Sequence, residues 1–227
     1  MHVAIIPDGN RRFAKRNGLT IEEAYKIGIE KIRDVVEWVK DTDVKEMTLW
    51  GFSTENFNRD EKEKETIWTL LGATLDKIIN EYKKSDDKRK EQVKISFHGM
   101  LEKLPNHIEK KCLELMDVTN NNGPYKLNIL LAYGGRYEII NAINNAIKQK
   151  QKIDFIEEGD IEKNLMVKTP ADLIIRTGGE KRLSGYLLWQ SAYSELFFSD
   201  KLWPEFEKED LLLALDDYTK RERRFGK

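Results

Sequence analysis

Cysteine occurs once, at Cys112, and the 227 residues include only five prolines and three histidines. A lone cysteine cannot close a disulfide within the chain, which points to a reducing, cytoplasmic compartment. Charge of one sign is missing too. Lys and Arg total 39 against 40 Asp and Glu, a formal net charge of -1. A uniformly basic nucleic-acid-binding domain is therefore not expected, and only a local basic cleft stays open. No apolar run reaches about 18 residues, the length a membrane span needs, and Met1-His2-Val3 leads straight into a strand-like segment. Neither a transmembrane helix nor a signal peptide is expected. No Pro/Gly/Ser-rich linker and no internal repeat divides the chain, so one domain over residues 1–227 is expected. His98 and His107 lack metal-ligand spacing, and Cys112 reads as core. Disorder is excluded, because 40% of the residues are apolar and 10% aromatic, enough for a sizeable core at this length. The 35% charged fraction, rich in Lys, Glu and Arg, leans towards a thermophilic source.

What is present is an alternation of periods. Segments 3–6, 47–52, 93–97, 127–132 and 173–175 are short and almost wholly apolar, the pattern of strands covered on both faces. Between them, 20–41, 61–90, 106–118, 136–150 and 208–224 repeat at helical spacing. Thr20 and Glu23 form a capping box, after which Ala24, Gly28, Ile32, Val35, Val36 and Val39 mark one helix face. This order predicts an α/β fold with a mainly parallel central sheet flanked by helices. The charged run 83–90 reads as a solvated helix end.

The informative residues follow the strands. In an open parallel sheet, ligands bind outside the carboxyl ends of the strands. The first strand ends in Pro7-Asp8-Gly9-Asn10-Arg11-Arg12 and the second in Ser53-Thr54-Glu55-Asn56-Phe57-Asn58-Arg59. The fourth ends in Tyr133-Gly134-Gly135-Arg136, the fifth in Arg176-Thr177-Gly178-Gly179-Glu180-Lys181-Arg182. Glycines let backbone N–H groups approach an anion, and guanidinium forks pair with phosphate oxygens two at a time. Several arginines on one edge of a chain without net positive charge predict a highly anionic ligand such as a diphosphate. A carboxylate among them, Asp8, suits Mg²⁺, which needs only one or two protein carboxylates plus substrate oxygens. Each piece has a plainer reading as turn chemistry, Asp8-Gly9 and Gly178-Gly179 included.

Residues 187–198 are apolar and aromatic apart from Glu195, and their plainest reading is core or a subunit interface. A carboxylate in such a segment wants a partner, and a metal would supply one. By default, 221–226 is a frayed helix end.

Taken in order, several blocks resemble the cis-prenyltransferases, the undecaprenyl and dehydrodolichyl diphosphate synthase family. They are residues 2–12, 52–59, 133–136, 175–184, 187–190, 202–204 and 221–226, so the resemblance covers almost the whole chain. It implies a parallel sheet flanked by helices and enclosing a hydrophobic tunnel, in a homodimer. It also implies Mg²⁺-dependent condensation of isopentenyl diphosphate onto an allylic diphosphate, with each new double bond cis. By motif, Asp8 resembles the essential aspartate that binds Mg²⁺ and helps the allylic diphosphate leave. Gly9, Asn10, Arg11 and Arg12 would wrap that diphosphate, with Phe13 beside it and Ser53, Thr54 and Glu55 lining the same pocket. Asn56 matches a residue implicated in proton transfer, and Phe57 and Arg59 complete a loop that closes over substrate. Arg176, Arg182, Leu183 and Ser184 resemble the isopentenyl diphosphate site, and Glu195 the second magnesium ligand. Arg224 and Gly226 match a C-terminal Arg-x-Gly motif that reaches the partner's substrate. The product implied is a long polyprenyl diphosphate, precursor of a glycosyl carrier lipid, unloaded by peripheral contact with a bilayer.

Departures from the family pattern are local. Ile21 and Tyr25 stand where many bacterial members carry a basic residue and a histidine, which leaves the allylic site less charged. Lys181 replaces a histidine of some members, and Met100 an acidic residue. The Asp-Gly-Asn-Arg-Arg block, the altered helix and the composition lean towards archaeal members, which often resemble synthases that start from geranylgeranyl diphosphate; farnesyl diphosphate is the alternative primer. Two rivals stay open at this point. One is a non-catalytic subunit of a two-subunit prenyltransferase, which would lack the aspartate and arginine clusters. The other is an unrelated phosphate-binding enzyme on a similar sheet.

Overall fold

The computed structural model describes residues 1–84, 92–149 and 155–221. The elements are β1 (His2–Ile6), α1 (Asn10–Asn17), α2 (Ile21–Val39), β2 (Glu46–Trp50), α3 (Glu61–Lys84), β3 (Val93–His98) and α4 (Asn106–Val118). There follow β4 (Tyr125–Leu130), α5 (Gly135–Gln149), α6 (Glu158–Glu162), β5 (Leu173–Arg176), β6 (Glu195–Phe198) and α7 (Lys208–Lys220). The sheet runs β3-β4-β2-β1-β5-β6, and every pairing is parallel. The expected α/β fold with a parallel sheet is therefore what the chain adopts.

Strand alternation divides the core into two layers. On one face Val3, Ile5, Leu49, Ile95, Phe97 and Leu127 meet Val35, Leu75, Ile108 and Leu115 from α2, α3 and α4. On the other, Ala4, Ile6, Leu130 and Ile174 meet Tyr186 and Leu187. That second face also carries a polar ladder across four strands. His2 Nε2 lies 2.8 Å from Thr48 Oγ1, Asn128 Nδ2 donates to the same hydroxyl at 3.1 Å, and Asn128 Oδ1 is 3.3 Å from His98 Nε2. Cys112 is fully buried, as expected.

The capping box at Thr20 is present: Thr20 N–H donates to Glu23 Oε2 at 2.8 Å, and Glu23 N–H to Thr20 Oγ1 at 3.2 Å. Three elements depart from expectation. One is the five-residue α6, in a stretch where no element is expected. Residues 10–17, too short for a periodic signal, form α1, entered through Gly9 at φ 117° and left through Gly18 at φ 65°. Both glycines adopt the left-handed region that side chains avoid. Residues 195–198, expected as core or interface, pair beyond β5 as the half-buried edge strand β6. The helices expected over 61–90 and 208–224 run to Lys84 and Lys220. Most of the charged run 83–90 lies outside the described residues, as do Arg224 and Gly226.

Candidate active site

Strand order explains why the motifs meet. β4, β2, β1 and β5 are consecutive in the sheet, so their carboxyl ends open side by side. Asp8 leaves β1 in a tight turn that Thr177 closes. Thr177 Oγ1 accepts from Asp8 N–H at 2.9 Å and donates to Asp8 C=O at 2.8 Å, while Trp203 N–H donates to the same carbonyl at 2.9 Å. The carboxylate then sits between two arginines. Arg176 Nη2 is 2.9 Å from Asp8 Oδ2, and Arg12 Nη2 is 3.2 Å from Asp8 Oδ1. Arg12 Nη1 also donates to Gly178 C=O at 2.6 Å. Gly178 adopts φ 85°, and a Cβ there would stand 2.5 Å from Arg12 Nη2 and 3.2 Å from Asp8 C=O. Glycine is required on both counts.

Arg176 is buried, whereas the Asp8 side chain stays about one-third exposed (31%). Arg176 Nη1 donates to Arg182 C=O and, at 3.0 Å, to Ser184 Oγ. Ser184 adopts φ 53°, a left-handed backbone that a non-glycine residue takes up only under constraint. Arg182 itself pairs with Glu180. Leu183 joins the second core layer. The expected grouping of Arg176, Arg182 and Ser184 around one end of β5 is thus formed.

The segment after β2 is a 3₁₀ turn, Thr54–Asn58. Its start is tied to the neighbouring strand, because Thr54 N–H donates to Tyr133 C=O at 3.1 Å and Tyr133 N–H to Phe52 C=O at 3.1 Å. Asn56 Oδ1 accepts from Ser53 N–H at 3.0 Å, which leaves the amide NH₂, without a partner among the described residues, as the group that could serve a ligand. Phe57 packs edge-on to Phe52 with ring centres 5.1 Å apart, and Phe52 lies 4.6 Å from Trp68. Arg59 ends the turn and bonds Tyr25 and Glu63. Asn10 Oδ1 is buried without a partner among the described residues, facing Gly28, where a Cβ would come within 2.3 Å of it. Arg11 and Phe13 lie on α1, Arg11 exposed and Phe13 half-buried; Glu55 is exposed.

Behind this polar rim runs a cavity of about 620 Å³. Asp8, Ser53, Asn56, Arg59 and Ser184 line its mouth, and Ile32, Leu71, Ile95, Phe97 and Ile129 its depth. Helices α2 and α3 wall it against the sheet. A charged rim on an apolar tube suits a molecule with an anionic head and a hydrocarbon tail. The expected tunnel is present. Gly51 lies on its wall, and a Cβ there would meet Leu131 at 2.9 Å.

A family model described as putative undecaprenyl diphosphate synthase matches residues 6–226. The chain belongs to this synthase family. Relatives of the family are similar along most of their length. A tritrans,polycis-undecaprenyl-diphosphate synthase (geranylgeranyl-diphosphate specific) of Pyrobaculum aerophilum is 39% identical, covering 100% of this chain and 95% of the relative. An isoprenyl transferase of Thermotoga maritima is 41% identical over 99% of this chain and 96% of its own. Among solved structures, lavandulyl diphosphate synthase from Lavandula x intermedia, in complex with dimethylallyl diphosphate, superposes with a TM-score of 0.91. Its identity is 31%, over 100% of this chain and 98% of that one. The resemblance to cis-prenyltransferases, archaeal members included, and the expected enzyme class, a prenyl transferase, are borne out.

One expected pairing is not built by the synthase fold within a chain. Glu195 opens β6 level with Leu173 and Val3, whereas Asp8 follows the far end of β1. The two carboxylates therefore lie at opposite edges of the sheet, two strands apart, and Glu195 Oε2 is 2.7 Å from Arg221 Nη1. Magnesium, with ligand distances of about 2.1 Å, cannot bridge them in one subunit. Among the described residues no group of three or more metal-ligating side chains gathers. Sequence reasoning gave no role to Thr177, Trp203 or Glu63. Thr177 acts through its hydroxyl on the Asp8 backbone and Trp203 through its own backbone N–H, contacts that residue type alone does not reveal, and Glu63 is one carboxylate in a charged helix turn.

Proposed function

We infer that the protein is a cis-prenyltransferase that condenses isopentenyl diphosphate repeatedly onto an allylic diphosphate, geranylgeranyl or farnesyl diphosphate, to give a long polyprenyl diphosphate. The observation that carries this reading is Asp8 held between Arg12 and Arg176 at the mouth of an apolar cavity. The specificity named for the Pyrobaculum relative favours geranylgeranyl diphosphate as primer. No helix of the described residues is long and apolar enough to cross a membrane, in keeping with a cytoplasmic enzyme that meets the bilayer peripherally. The product would serve as precursor of a glycosyl carrier lipid.

The chemistry follows from the rim. The allylic C–O bond breaks, and the diphosphate leaves with the electron pair. The isopentenyl double bond attacks the allylic carbon, and loss of a proton sets the new cis alkene. Arg12, the N–H groups of Gly9 and Asn10, and Arg11 would hold the allylic diphosphate at the start of α1, where the helix dipole adds to the attraction. Phe13, Ser53, Thr54 and Glu55 would border it, and Phe57 anchors the turn that carries Asn56 and Arg59. Arg176, Arg182, Leu183 and Ser184 would hold isopentenyl diphosphate beside it, so that two anion sites on one edge align the reacting carbons. Asn56 has no basic group, so its NH₂ would act by holding a diphosphate oxygen where the proton leaves. The cavity keeps water from the cation and houses the growing chain. Asp8, partly exposed although paired with Arg12 and Arg176, would hold Mg²⁺ together with diphosphate oxygens, and the ion when bound would supply charge neutralisation at the leaving group.

Glu195 can join such a site only from a second copy, which accords with a homodimer. The edge strand β6 leaves Leu196, Phe197 and Phe198 half-buried, and α5 exposes Ile140 by 59%, an apolar surface of the kind that subunits cover. Arg224 and Gly226 would act across the same interface. The test is an incubation with Mg²⁺, labelled isopentenyl diphosphate and either primer, with the products sized. Long polyprenyl products from one primer establish the activity, name the starter and give the length. No incorporation with either primer overturns the reading and directs attention to a missing partner subunit.

A further inference from the structure

At one side of the cavity mouth, four elements meet on a single carboxylate. Glu63, in the first turn of α3, accepts at Oε1 from the Tyr25 hydroxyl at 2.7 Å and lies 3.1 Å from Arg59 Nη1. Arg59 Nη1 in turn donates to the Tyr25 oxygen at 2.7 Å. Arg11 Nη1, on α1, stands 4.0 Å from Glu63 Oε2. Side-chain exposure is 22% for Arg59 and 15% for Glu63, so this is a shielded cluster rather than a surface ion pair. Tyr25 and Arg59 both line the cavity.

An arginine has a long side chain that loses considerable rotamer freedom when fixed. Here Nη1 is tied to two oxygens, which sets the plane of the guanidinium and leaves its other N–H groups for an anion. Burial raises the Tyr25 hydroxyl well above its ordinary range, with the neighbouring arginine opposing. Tyr25 is therefore a neutral link at any working pH. It donates to Glu63 and accepts from Arg59, which neither a histidine cation nor a phenylalanine can do.

We propose that Tyr25 is a positioning residue: with Glu63 it holds the Arg59 guanidinium at the cavity mouth in the orientation that receives the allylic diphosphate, without touching that substrate itself. The inference rests on the prenyltransferase reading and adds a residue to its allylic side alone. Isopentenyl diphosphate, on Arg176 and Arg182, is served by a separate part of the rim.

A double-mutant cycle on the full chain tests it, combining Tyr25→Phe with Arg59→Ala and following KM for each substrate, kcat and the unfolding midpoint. Tyr25→Phe is expected to raise KM for the allylic primer about 5- to 10-fold, the net worth of one ordinary hydrogen bond, with KM for isopentenyl diphosphate unchanged. In the Arg59→Ala background the same change should add less than about 2-fold. An undiminished effect in that background would show that Tyr25 acts on substrate directly and would overturn the proposal. So would unchanged KM values in Tyr25→Phe, or equal rises for both substrates. Glu63→Gln, which keeps the shape and removes the charge, replaces Tyr25→Phe in the cycle if that variant unfolds, with the same two outcomes deciding. A wild-type chain that incorporates no isopentenyl diphosphate would instead sink the prenyltransferase reading. In that case, binding of a non-hydrolysable allylic diphosphate analogue, followed through the fluorescence of the cavity-lining Trp50 and Trp68, still runs the cycle.

Discussion

Arg176 Nη2 approaches Asp8 Oδ2 to 2.9 Å although the two residues are 168 positions apart in the chain. They meet because Arg176 is the register partner of Ile6 on the neighbouring strand, and Asp8 follows Ile6 by one tight turn. The pair joins the two halves of the proposed chemistry, since Asp8 also touches Arg12 on α1 while Arg176 also holds Ser184. A carboxylate so placed holds both guanidinium groups in position for anions that compete for them.

Removing that carboxylate should stop turnover. Asp8→Ala is expected to lower kcat by about a thousandfold or more, roughly 4 kcal/mol at 1.36 kcal/mol per tenfold. It also strips an ion partner from the buried Arg176. Steady-state kinetics at saturating Mg²⁺ is the measurement, and near-normal turnover would refute the role assigned to Asp8.

Arg176 should tolerate no substitute. Its guanidinium serves Asp8, the Arg182 carbonyl and Ser184 at once, a planar fork that an ammonium group cannot reproduce. Arg176→Lys is expected to raise KM for isopentenyl diphosphate at least about tenfold, the scale of a lost bond between charged groups. The primer KM should move much less, and equal rises in both would contradict the division of the rim into two sites.

Gly178 is placed where neither space nor backbone admits a side chain. Gly178→Ala would set a methyl 2.5 Å from Arg12 Nη2 at φ 85°. Left-handed backbone costs an ordinary residue about 1 kcal/mol, and displacing Arg12 should reduce kcat/KM for the primer by about tenfold or more. Gly159→Ala is the control, because no atom of the described residues lies within 4 Å of a Cβ there. Similar losses in both variants would remove the steric argument.

Stability should fall on the acid side of neutrality. Burial holds the imidazoles of His2 and His98 below their ordinary value of 6.5, so the folded state resists the proton that the unfolded chain accepts. The unfolded state then binds more protons as pH drops below about 6.5. The contribution of these residues is full above that pH and is lost as pH falls towards the depressed folded values. Urea midpoints at about pH 7.5 and about pH 5.5 measure this, and His2→Asn should flatten the difference. A midpoint that is unchanged or higher at the acid value would contradict the sign.

The sequence by itself determined the class of fold, because unbroken apolar runs and capped helical periods admit one arrangement, a sheet covered on both faces. It also determined which motifs belong to the rim, because four strand ends carry glycines, amides and arginines together, although each taken alone reads equally well as a turn. Three elements escaped it, the five-residue α6 among them. Helix α1 spans two turns, too few for a period, and β6 is a four-residue edge whose half-burial gives no alternation. What only the tertiary structure decided is which residues act together. Glu195 shares the acidic chemistry of Asp8 yet stands at the opposite edge of the sheet, because strand register rather than residue type sets that distance. Tyr25 departs from the family pattern at its own position, but gains a function from Arg59 and Glu63, 34 and 38 residues away. Such partnerships arise where helices cross. A helix fixes which side chains share its face, and only packing fixes which face it meets.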